Sequence, residues 1–237
     1  MPGSRDETAP PHAPVGVGPH PGPWPDDPDY DPALLASGDR RNVADEFRYL
    51  RTDAIVRRLD ARRHPFHVAI ENWRSDPNIG SMVRSANAFL ATAVHIVGRR
   101  RWNRRGAMMT ERYLHIHHHA DLDGLASFAT EADLPIVAID NVPGALPIDR
   151  APLPARCVLL FGQEGPGLSR RARAIATEIR YVRQFGSTRS VNAAVAAGIA
   201  MYEWTRRHAM ETAVTNAPHE AGGDPEPIPP RGGCRAP

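Results

Sequence analysis

Apolar residues follow two patterns along this chain, and the two patterns alternate. Short continuous apolar runs are typical of strands that are buried on both faces, whereas recurrence every three to four residues predicts helices. The predicted strands are His67–Glu71, Val94–Val97, Pro135–Ile139, Cys157–Phe161 and Glu178–Val182. The predicted helices between and after them are Gly80–Leu90, Leu122–Glu131 and an alanine-rich segment, Val191–His208. This alternation predicts an α/β fold.

The two ends of the chain have a different composition. Residues 1–38 contain ten prolines and few aliphatic side chains, so we expect a disordered tail that cannot bury enough apolar area to offset its ordering entropy. Residues 211–237 are rich in proline and glycine and are predicted to be a second disordered tail. The domain therefore lies between residues 39 and 210.

A helical extension is predicted over residues 39–64, before the first strand. Apolar residues recur at helical spacing from Val43 to Arg63. The opposite face carries six arginines: Arg48, Arg51, Arg57, Arg58, Arg62 and Arg63. The pattern leaves open whether this face is solvated or binds RNA.

Composition narrows the possible functions. The chain has 237 residues and 41% hydrophobic content, which suits one core with extensions, and no apolar run approaches the roughly 20 residues of a membrane span. A signal peptide is not evident, and two cysteines do not suggest a disulfide, so we expect a cytoplasmic protein. All 29 basic residues are arginine, which excludes Schiff-base and P-loop lysine chemistry. Arginine suits phosphate contacts, but a GC-rich coding sequence would give the same bias.

An arginine run follows the second predicted strand. Its members are Arg99, Arg100, Arg101, Trp102, Asn103, Arg104 and Arg105. Five arginines around one tryptophan favour phosphate contacts with a stacking platform for an unpaired base over an exposed charged loop, because solvated runs usually mix signs. By contrast, His115, His117, His118 and His119 suggest zinc only superficially. Neighbouring residues on a strand alternate faces, and no cysteine or acidic ligand stands at zinc-site spacing, so no metal is expected.

Two loops rich in glycine or serine follow adjacent predicted strands. Gly162, Gly165 and Gly167 force a tight turn that leaves backbone N–H groups open to a ligand. The polar loop 184–189 precedes the last helix, in which Ser190 or Asn192 can serve as N-cap. We therefore expect a ligand site at the carboxyl edge of an open α/β sheet.

Three segments in order resemble the SpoU/TrmH family of SPOUT RNA methyltransferases, over about residues 65–208. They are the segments NIGSMVR at 78–84, FGQEGPGLS at 161–169 and SVNAAVAAGI at 190–199. The resemblance implies an open, mostly parallel sheet flanked by helices, with a deep C-terminal trefoil knot that binds S-adenosylmethionine. It also implies a SPOUT methyltransferase domain over residues 65–210 and a homodimer in which the last helix takes part, with Ala193, Ala196, Ala197 and Ala200 on its small-residue side.

The resemblance assigns roles to particular residues. Cofactor contacts fall on Gly162, Val182 and Val191, largely through backbone groups, although Arg183 stands where the family usually has proline. The implied reaction is methyl transfer to a ribose 2′-hydroxyl of RNA, with Arg84 as the catalytic residue. A guanidinium is a poor base, so we expect Arg84 to bind phosphate and stabilise negative charge on the 2′-oxygen, or to pair with Glu164. Asn78 would position Arg84 or the RNA or cap a helix, and Ser190 and Asn192 would fix the acceptor or cap the last helix.

Other functions remain possible at this point. Transfer RNA, at a guanosine, is favoured as substrate because one helix and a tail precede the core, whereas 23S ribosomal-RNA members commonly carry a separate N-terminal RNA-binding domain. A non-catalytic RNA-binding protein that keeps the fold is an alternative, which the complete set of site residues disfavours. A nucleotide-binding Rossmann enzyme ranks last, because the chain lacks an early glycine fingerprint followed by an acidic residue.

Overall fold

Seven strands form one parallel sheet in the computed structural model, which describes residues 16–74 and 77–210. The strands are β1 His64–Asn72, β2 Ala91–Gly98, β3 Ile116–His119, β4 Ile136–Ile139, β5 Leu146–Pro147, β6 Cys157–Phe161 and β7 Glu178–Tyr181. Their spatial order is β3-β2-β1-β6-β4-β7-β5, and every neighbouring pair is parallel. The predicted strands are thus confirmed to within three residues, and all carboxyl ends lie at one edge of the sheet.

Helices cover both faces of this sheet. Their bounds are α1 Pro32–Ser37, α2 Thr52–Asp60, α3 Asn78–Ala88, α4 Leu122–Glu131, α5 Arg170–Ile175 and α6 Ala193–Thr205. Helices α3 and α6 pack on one face in the larger core cluster, and α4 and α5 pack on the other. Trp204 of α6 is buried in the larger cluster, and its indole N–H donates to the Pro154 carbonyl at 3.1 Å. Within the described ranges, no helix is both long and apolar enough to cross a bilayer.

Strand β6 enters the sheet late in the chain, between β1 and β4. Phe161, its last residue, lies beside Ile70 of β1 and Ile139 of β4, and Ile139 in turn pairs with Arg180 of β7. The loops that leave these four strands therefore emerge side by side. Such a position, where the strand order reverses, is where open α/β sheets bind ligands.

The N-terminal segment differs from its prediction. Residues 16–38 were expected to be disordered, yet they contain α1, and Val17 pairs with Asp39 while Tyr30 pairs with Leu50. Polar bonds, which apolar patterning cannot reveal, hold this segment: the Tyr49 hydroxyl donates to the Gly18 carbonyl at 2.7 Å, and the Asp31 N–H donates to the Tyr49 carbonyl at 2.8 Å. The buried Asp39 carboxylate accepts two bonds from the Arg41 guanidinium, at 2.9 and 2.7 Å, and one from the Tyr49 N–H at 3.0 Å. Residues 1–15 and 211–237 lie outside the described residues.

The helical extension is shorter than predicted. Helix α2 begins at Thr52 rather than near Val43, and a single 3-10 turn, Asp45–Phe47, stands in the first half of the predicted helix. Tyr49 adopts a left-handed conformation with φ of 62°, which a right-handed helix cannot accommodate. The chain thus turns at Tyr49, and this places Leu50 in a small core with Ile55 and Tyr113.

The six arginines of this extension all bond within the protein. Asp29 accepts from Arg57 at 2.6 Å and from Arg58 at 3.2 Å, which fastens the N-terminal segment to α2. Arg63 is nearly buried and donates to Asp60 and to the carbonyls of Ala91 and Tyr113. Arg48 donates to the Asp45 carboxylate and to the Arg41 carbonyl. Arg51 donates to the Tyr30 carbonyl, and Arg62 donates to the Glu46 carboxylate. Of the two interpretations left open, these contacts favour an intramolecular role over an RNA-binding face.

Candidate active site

The glycine turn after β6 folds back on itself. The Gly167 N–H donates to the Gln163 carbonyl at 2.9 Å, and Gly167 has a left-handed φ of 67°. A Cβ at Gly162 would lie 2.2 Å from the Gly167 carbonyl carbon. No side chain fits at Gly162, so the backbone there is held against the opposite arm of the turn.

A pocket lies where this turn meets the loops after β4 and β7. It is lined by Ile139, Asp140, Asn141, Phe161, Gly162, Gln163, Glu164, Gly165, Gly167, Tyr181, Val182, Gln184, Ser190, Val191, Ala193 and Ala196. Gly162, Val182 and Val191, the three residues expected to contact a cofactor, all lie in this wall, as does Ser190. The structure therefore brings these expected cofactor residues, up to 29 positions apart in the chain, together at the sheet edge that the sequence predicted.

Glu164 joins the three sequence segments beside this pocket. Its Oε2 accepts from the Asn78 side chain at 3.2 Å, from the Asn192 side chain at 3.0 Å and from the Ala193 N–H at 2.8 Å. The Asn192 amide also donates to Asn78 Oδ1 at 3.0 Å. Asn192 is the N-cap of α6, because its Oδ1 accepts from the N–H groups of Ala194 and Val195. Asn78, Glu164 and Asn192 thus form one hydrogen-bonded cluster, called here the asparagine–glutamate cluster.

Arg84 does not take part in this cluster. It is exposed on α3, and its guanidinium has no hydrogen bond or ion pair with any residue in the described ranges, so the expected pairing with Glu164 is absent there. Gly80 of α3 packs closely against the loop after β2, since a Cβ at Gly80 would lie 2.8 Å from the Gly106 nitrogen. Arg84 lies one turn beyond Gly80 along the same helix, and its side chain is exposed.

The arginine run is exposed and its backbone is anchored. The Asn72 side chain donates to the carbonyls of Arg99 at 2.6 Å and Arg101 at 3.0 Å. In the part of the chain that the structure describes, the five guanidinium groups form no ion pair, in contrast to those of the N-terminal extension. Trp102 is partly buried against the core, and the Arg104 guanidinium lies 5.5 Å from its ring centre. The arginines are thus available to phosphate, whereas the Trp102 ring is less open to a base than expected.

Of the four histidines at and before β3, only His119 joins a partly buried chain of hydrogen-bonded rings, called here the histidine relay, with His67 and His95. His115 bonds Asp60, His118 bonds the Gly98 carbonyl, and His117 is exposed and stacks on His95. His95 Nε2 lies 2.9 Å from His67 Nδ1, and His95 Nδ1 lies 2.8 Å from His119 Nε2. Phe128 of α4 packs against these rings. Burial, with repulsion from the neighbouring histidines, lowers the pKa of His95 to about 2, and burial chiefly lowers that of His67 to about 4. No group of three or more histidine, cysteine or acidic side chains in residues 16–74 and 77–210 is arranged to hold a metal ion; the ring nitrogens bond one another instead.

The sequence model of the SpoU rRNA Methylase family matches residues 65–202, which is more than half of the chain. The chain belongs to this family. The match runs from β1 to α6 and includes every residue of the asparagine–glutamate cluster and of the pocket.

Curated relatives of this chain are named as uncharacterized tRNA/rRNA methyltransferases. An uncharacterized tRNA/rRNA methyltransferase of Mycolicibacterium smegmatis is 32% identical over 147 residues, which cover 59% of this chain and 46% of that protein. Another, from Mycolicibacterium gilvum, is 28% identical over 190 residues, which cover 75% of this chain and 59% of the relative. The chain spans about half the length of the curated relatives it matches.

Solved structures share the fold. The TrmH/SpoU tRNA modifying enzyme of A. aeolicus has a TM-score of 0.60 and 20% identity, with 72% of this chain and 90% of that chain covered. The SpoU methyltransferase AviRb from Streptomyces viridochromogenes, in complex with AdoMet, has a TM-score of 0.56 and 24% identity, with coverage of 62% and 58%. These likenesses place the sheet and its helices in the SpoU fold.

Several residues that build this SpoU family site were not singled out from the sequence. Asp140 accepts from the Leu168 N–H at 2.9 Å, which joins the loop after β4 to the glycine turn. Buried Glu71 accepts from the Ser169 N–H at 2.9 Å and from the Trp73 indole at 2.7 Å. Gln163 accepts from the Arg74 N–H at 2.6 Å. Their position at or directly after strand ends is the signal that could have identified them.

The loop after β7 carries the departure from the family pattern. Arg183, where the family usually has proline, donates through Nε to both Asp149 oxygens, at 3.0 and 3.1 Å. At the other end of the loop the Asn141 side chain donates to the Arg189 carbonyl at 3.1 Å. The loop is thus fixed at both ends without a proline.

Proposed function

We propose that this chain transfers a methyl group from S-adenosylmethionine to a ribose 2′-hydroxyl of RNA. The observation that supports this most strongly is the asparagine–glutamate cluster, which joins the three segments of the family resemblance at the rim of the pocket. The arginine run follows the carboxyl end of β2, at the edge of the sheet where the pocket lies, and in the described residues its guanidinium groups and that of Arg84 form no ion pair that would compete with phosphate. One site then holds both a methyl donor and a polyanionic acceptor.

The pocket fits S-adenosylmethionine. Apolar side chains, among them Phe161 and Val182, offer a surface for a flat ring, and Gly162 lines the pocket with no side chain of its own. Gln184 Oε1 is buried in this wall with no described hydrogen-bond partner, so it can accept from the adenine amino group or the ammonium group. Backbone groups at Gly162, Val182 and Val191 would hold the cofactor. When bound, S-adenosylmethionine supplies an electrophilic methyl group on a sulfonium.

The cluster, Ser190 and Arg84 have separate roles in placing the acceptor. Glu164 already accepts three hydrogen bonds through Oε2, so its role is to hold Asn78 and the start of α6 in place. Ser190 lies in the pocket wall two residues before Asn192, where its hydroxyl can bond a ribose or phosphate. Arg84 contacts phosphate and stabilises the negative charge that develops on the 2′-oxygen. Much of the rate acceleration would then come from alignment of the reacting atoms.

Transfer RNA is the favoured substrate, with guanosine as the favoured nucleotide. Residues 16–63 pack onto the methyltransferase core through the small apolar cluster of α2 with Tyr113 and through the bonds of Arg63 to the Ala91 and Tyr113 carbonyls, rather than as a separate globular unit. This arrangement matches the transfer-RNA members that have short helical extensions. Ribosomal RNA is the alternative, and the names of the curated relatives include both.

A homodimer is part of this proposal, with a corrected interface. Ala197 and Ala200, on the small-residue side of α6, are buried inside the protomer and are not available to a partner. The opposite side exposes Val195, Ile199 and Tyr202 by 52%, 37% and 48%, at the spacing of one helix face. We expect this apolar stripe to meet its copy in a second chain, and Ile199→Glu to give monomers in sedimentation velocity.

The trefoil knot implied by the family resemblance is likewise proposed. Such a knot requires the loops after β4, β6 and β7 to cross one another. The hydrogen bonds from Leu168 to Asp140 and from Asn141 to Arg189 support it, because they join these three loops.

The direct test is methyl transfer by the purified chain. It would be incubated with S-adenosylmethionine labelled in the methyl group and, separately, with unmodified transfer RNA and ribosomal RNA. We expect label in transfer RNA, with the modified ribose found by mapping of 2′-O-methyl sites. Label only in ribosomal RNA would support the alternative substrate, and tight RNA binding without label in either would support a non-catalytic RNA-binding protein.

A further inference from the structure

Among the described residues, Phe185 is the most exposed large hydrophobic side chain. It is 94% exposed, whereas the other exposed large hydrophobic side chains in the described part of the chain reach at most 56%. It lies in the loop between β7 and α6, with Gly186, Ser187, Thr188 and Arg189 exposed after it. Exposed single hydrophobic residues are common, so exposure alone would not assign a role to Phe185.

The exposure of Phe185 is informative because this residue lies next to the pocket. The preceding residue, Gln184, lies in the pocket wall, and its Oε1 is buried. The loop is held on one side by the Arg183–Asp149 ion pair and on the other by the Asn141–Arg189 hydrogen bond. Phe185 therefore lies at the rim of the proposed cofactor pocket, between the two bonds that hold the loop. No described side chain covers it.

We propose that Phe185 stacks on a base of the RNA substrate, at or next to the nucleotide that is methylated. The inference rests on the proposed function, and it makes Phe185 a positioning residue for the acceptor. Phenylalanine rings bind unpaired bases by stacking on their faces. A protein partner would need a wider apolar patch, but the residues that follow Phe185 in the loop are glycine or polar, and Arg189 suits phosphate.

The test compares substitutions that separate stacking from apolar contact. Phe185→Ala and Phe185→Leu remove the ring, whereas Phe185→Tyr and Phe185→Trp keep a stacking surface. Trp24→Ala, which removes an aromatic ring that is 50% exposed in the N-terminal segment, is the matched control. Affinity would be measured by fluorescence anisotropy with labelled, unmodified tRNA transcripts, and methyl transfer under subsaturating RNA would give kcat/KM.

We expect Phe185→Ala and Phe185→Leu to lose about tenfold or more in RNA affinity and kcat/KM, since one stacked base contributes roughly that much. The tyrosine and tryptophan variants should stay near wild type, and tryptophan fluorescence of Phe185→Trp should be quenched when the transcript is added. S-adenosylmethionine affinity by calorimetry and the sedimentation coefficient should not change in any variant.

Different results would overturn the inference in distinguishable ways. Equal RNA affinity of wild type and Phe185→Ala would remove the stacking role, and full recovery by leucine would indicate apolar contact alone. Loss of S-adenosylmethionine binding in Phe185→Ala would place the ring on the cofactor, and a changed sedimentation coefficient would place it on a second chain. Failure of the wild type to methylate any RNA would contradict the proposed function itself, while the anisotropy comparison would still decide the stacking role.

Discussion

Acidification should destabilise this protein through the histidine relay. The imidazoles of His67 and His95 have pKa values lowered by burial to about 4 and about 2, whereas both are near 6.5 in an unfolded chain. Below pH 6.5 the unfolded state therefore binds two protons that the folded state excludes. The stabilisation is complete above this pH and is lost as the pH falls towards 4.

The size of the effect follows from proton linkage. Each excluded proton lowers the free energy of unfolding by about 1.4 kcal/mol per pH unit. Between pH 7.5 and pH 5 the two histidines together account for at most about 4 kcal/mol, which is a large part of the roughly 5–15 kcal/mol that stabilises a typical domain. Asp39 acts in the same direction only at lower pH: its burial alone would raise its pKa, but the bonds from Arg41 outweigh this and lower the pKa to about 2.

Urea denaturation at half-unit pH steps from 7.5 to 5, followed by tryptophan fluorescence, measures this slope. His95→Gln should reduce the slope between pH 6 and pH 5 by about one proton, and His67→Gln with His95→Gln by about two. Val97→Ala is the control, because Val97 is buried two residues along β2 and does not titrate. It should lower stability equally at every pH. An unchanged slope in the double variant would refute the role given to the relay.

Three further predictions concern the site. Gly162→Ala should abolish S-adenosylmethionine binding in calorimetry, because its Cβ would lie 2.2 Å from the Gly167 backbone. Serine at every arginine of the run should weaken RNA binding and reduce the slope of log affinity against log salt by roughly 0.7–0.9 for each phosphate that is no longer neutralised. Arg57→Ser, which breaks an internal pair, should leave the slope unchanged. Glu164→Ala should lower kcat by misplacing the start of α6, and Glu164→Gln, which keeps an acceptor oxygen, should retain more activity; equal loss in both would require a negative charge there.

Much of the core was predictable because its signals are local. The apolar run Cys157–Phe161 gave β6 with the correct bounds, and the helical spacing of residues 122–131 gave α4. The pocket residues Gly162, Val182 and Val191 came from the family resemblance, whose segments carry the backbone requirements of the loops. What could not be predicted was pairing between distant residues, such as the hydrogen bond that the Leu168 N–H donates to Asp140.

The N-terminal segment also depends on pairing between distant residues, which the sequence did not predict. Its prolines suggested disorder, but the Tyr49 hydroxyl donates to the Gly18 carbonyl and Asp29 pairs with Arg57 and Arg58, which bonds the segment to residues far along the chain. The arginine-rich helix face likewise left open whether it is solvated or binds RNA, and the structure shows that Asp29 pairs with two of its arginines. Composition gives the number of charges but not their partners. It therefore could not distinguish this helix face from the arginine run, which forms no ion pair in the described residues.

Single-turnover methyl transfer by wild type and Arg84→Ala, at saturating S-adenosylmethionine, tests the central claim most directly. Arg84 is exposed on α3 and bonds no described residue, so its loss should leave folding and cofactor affinity unchanged. If Arg84 stabilises the developing oxyanion, the rate should fall a hundredfold or more, which is about 3 kcal/mol, and Arg84→Lys should recover little of it. Near-normal transfer by a folded, dimeric Arg84→Ala protein would contradict the account.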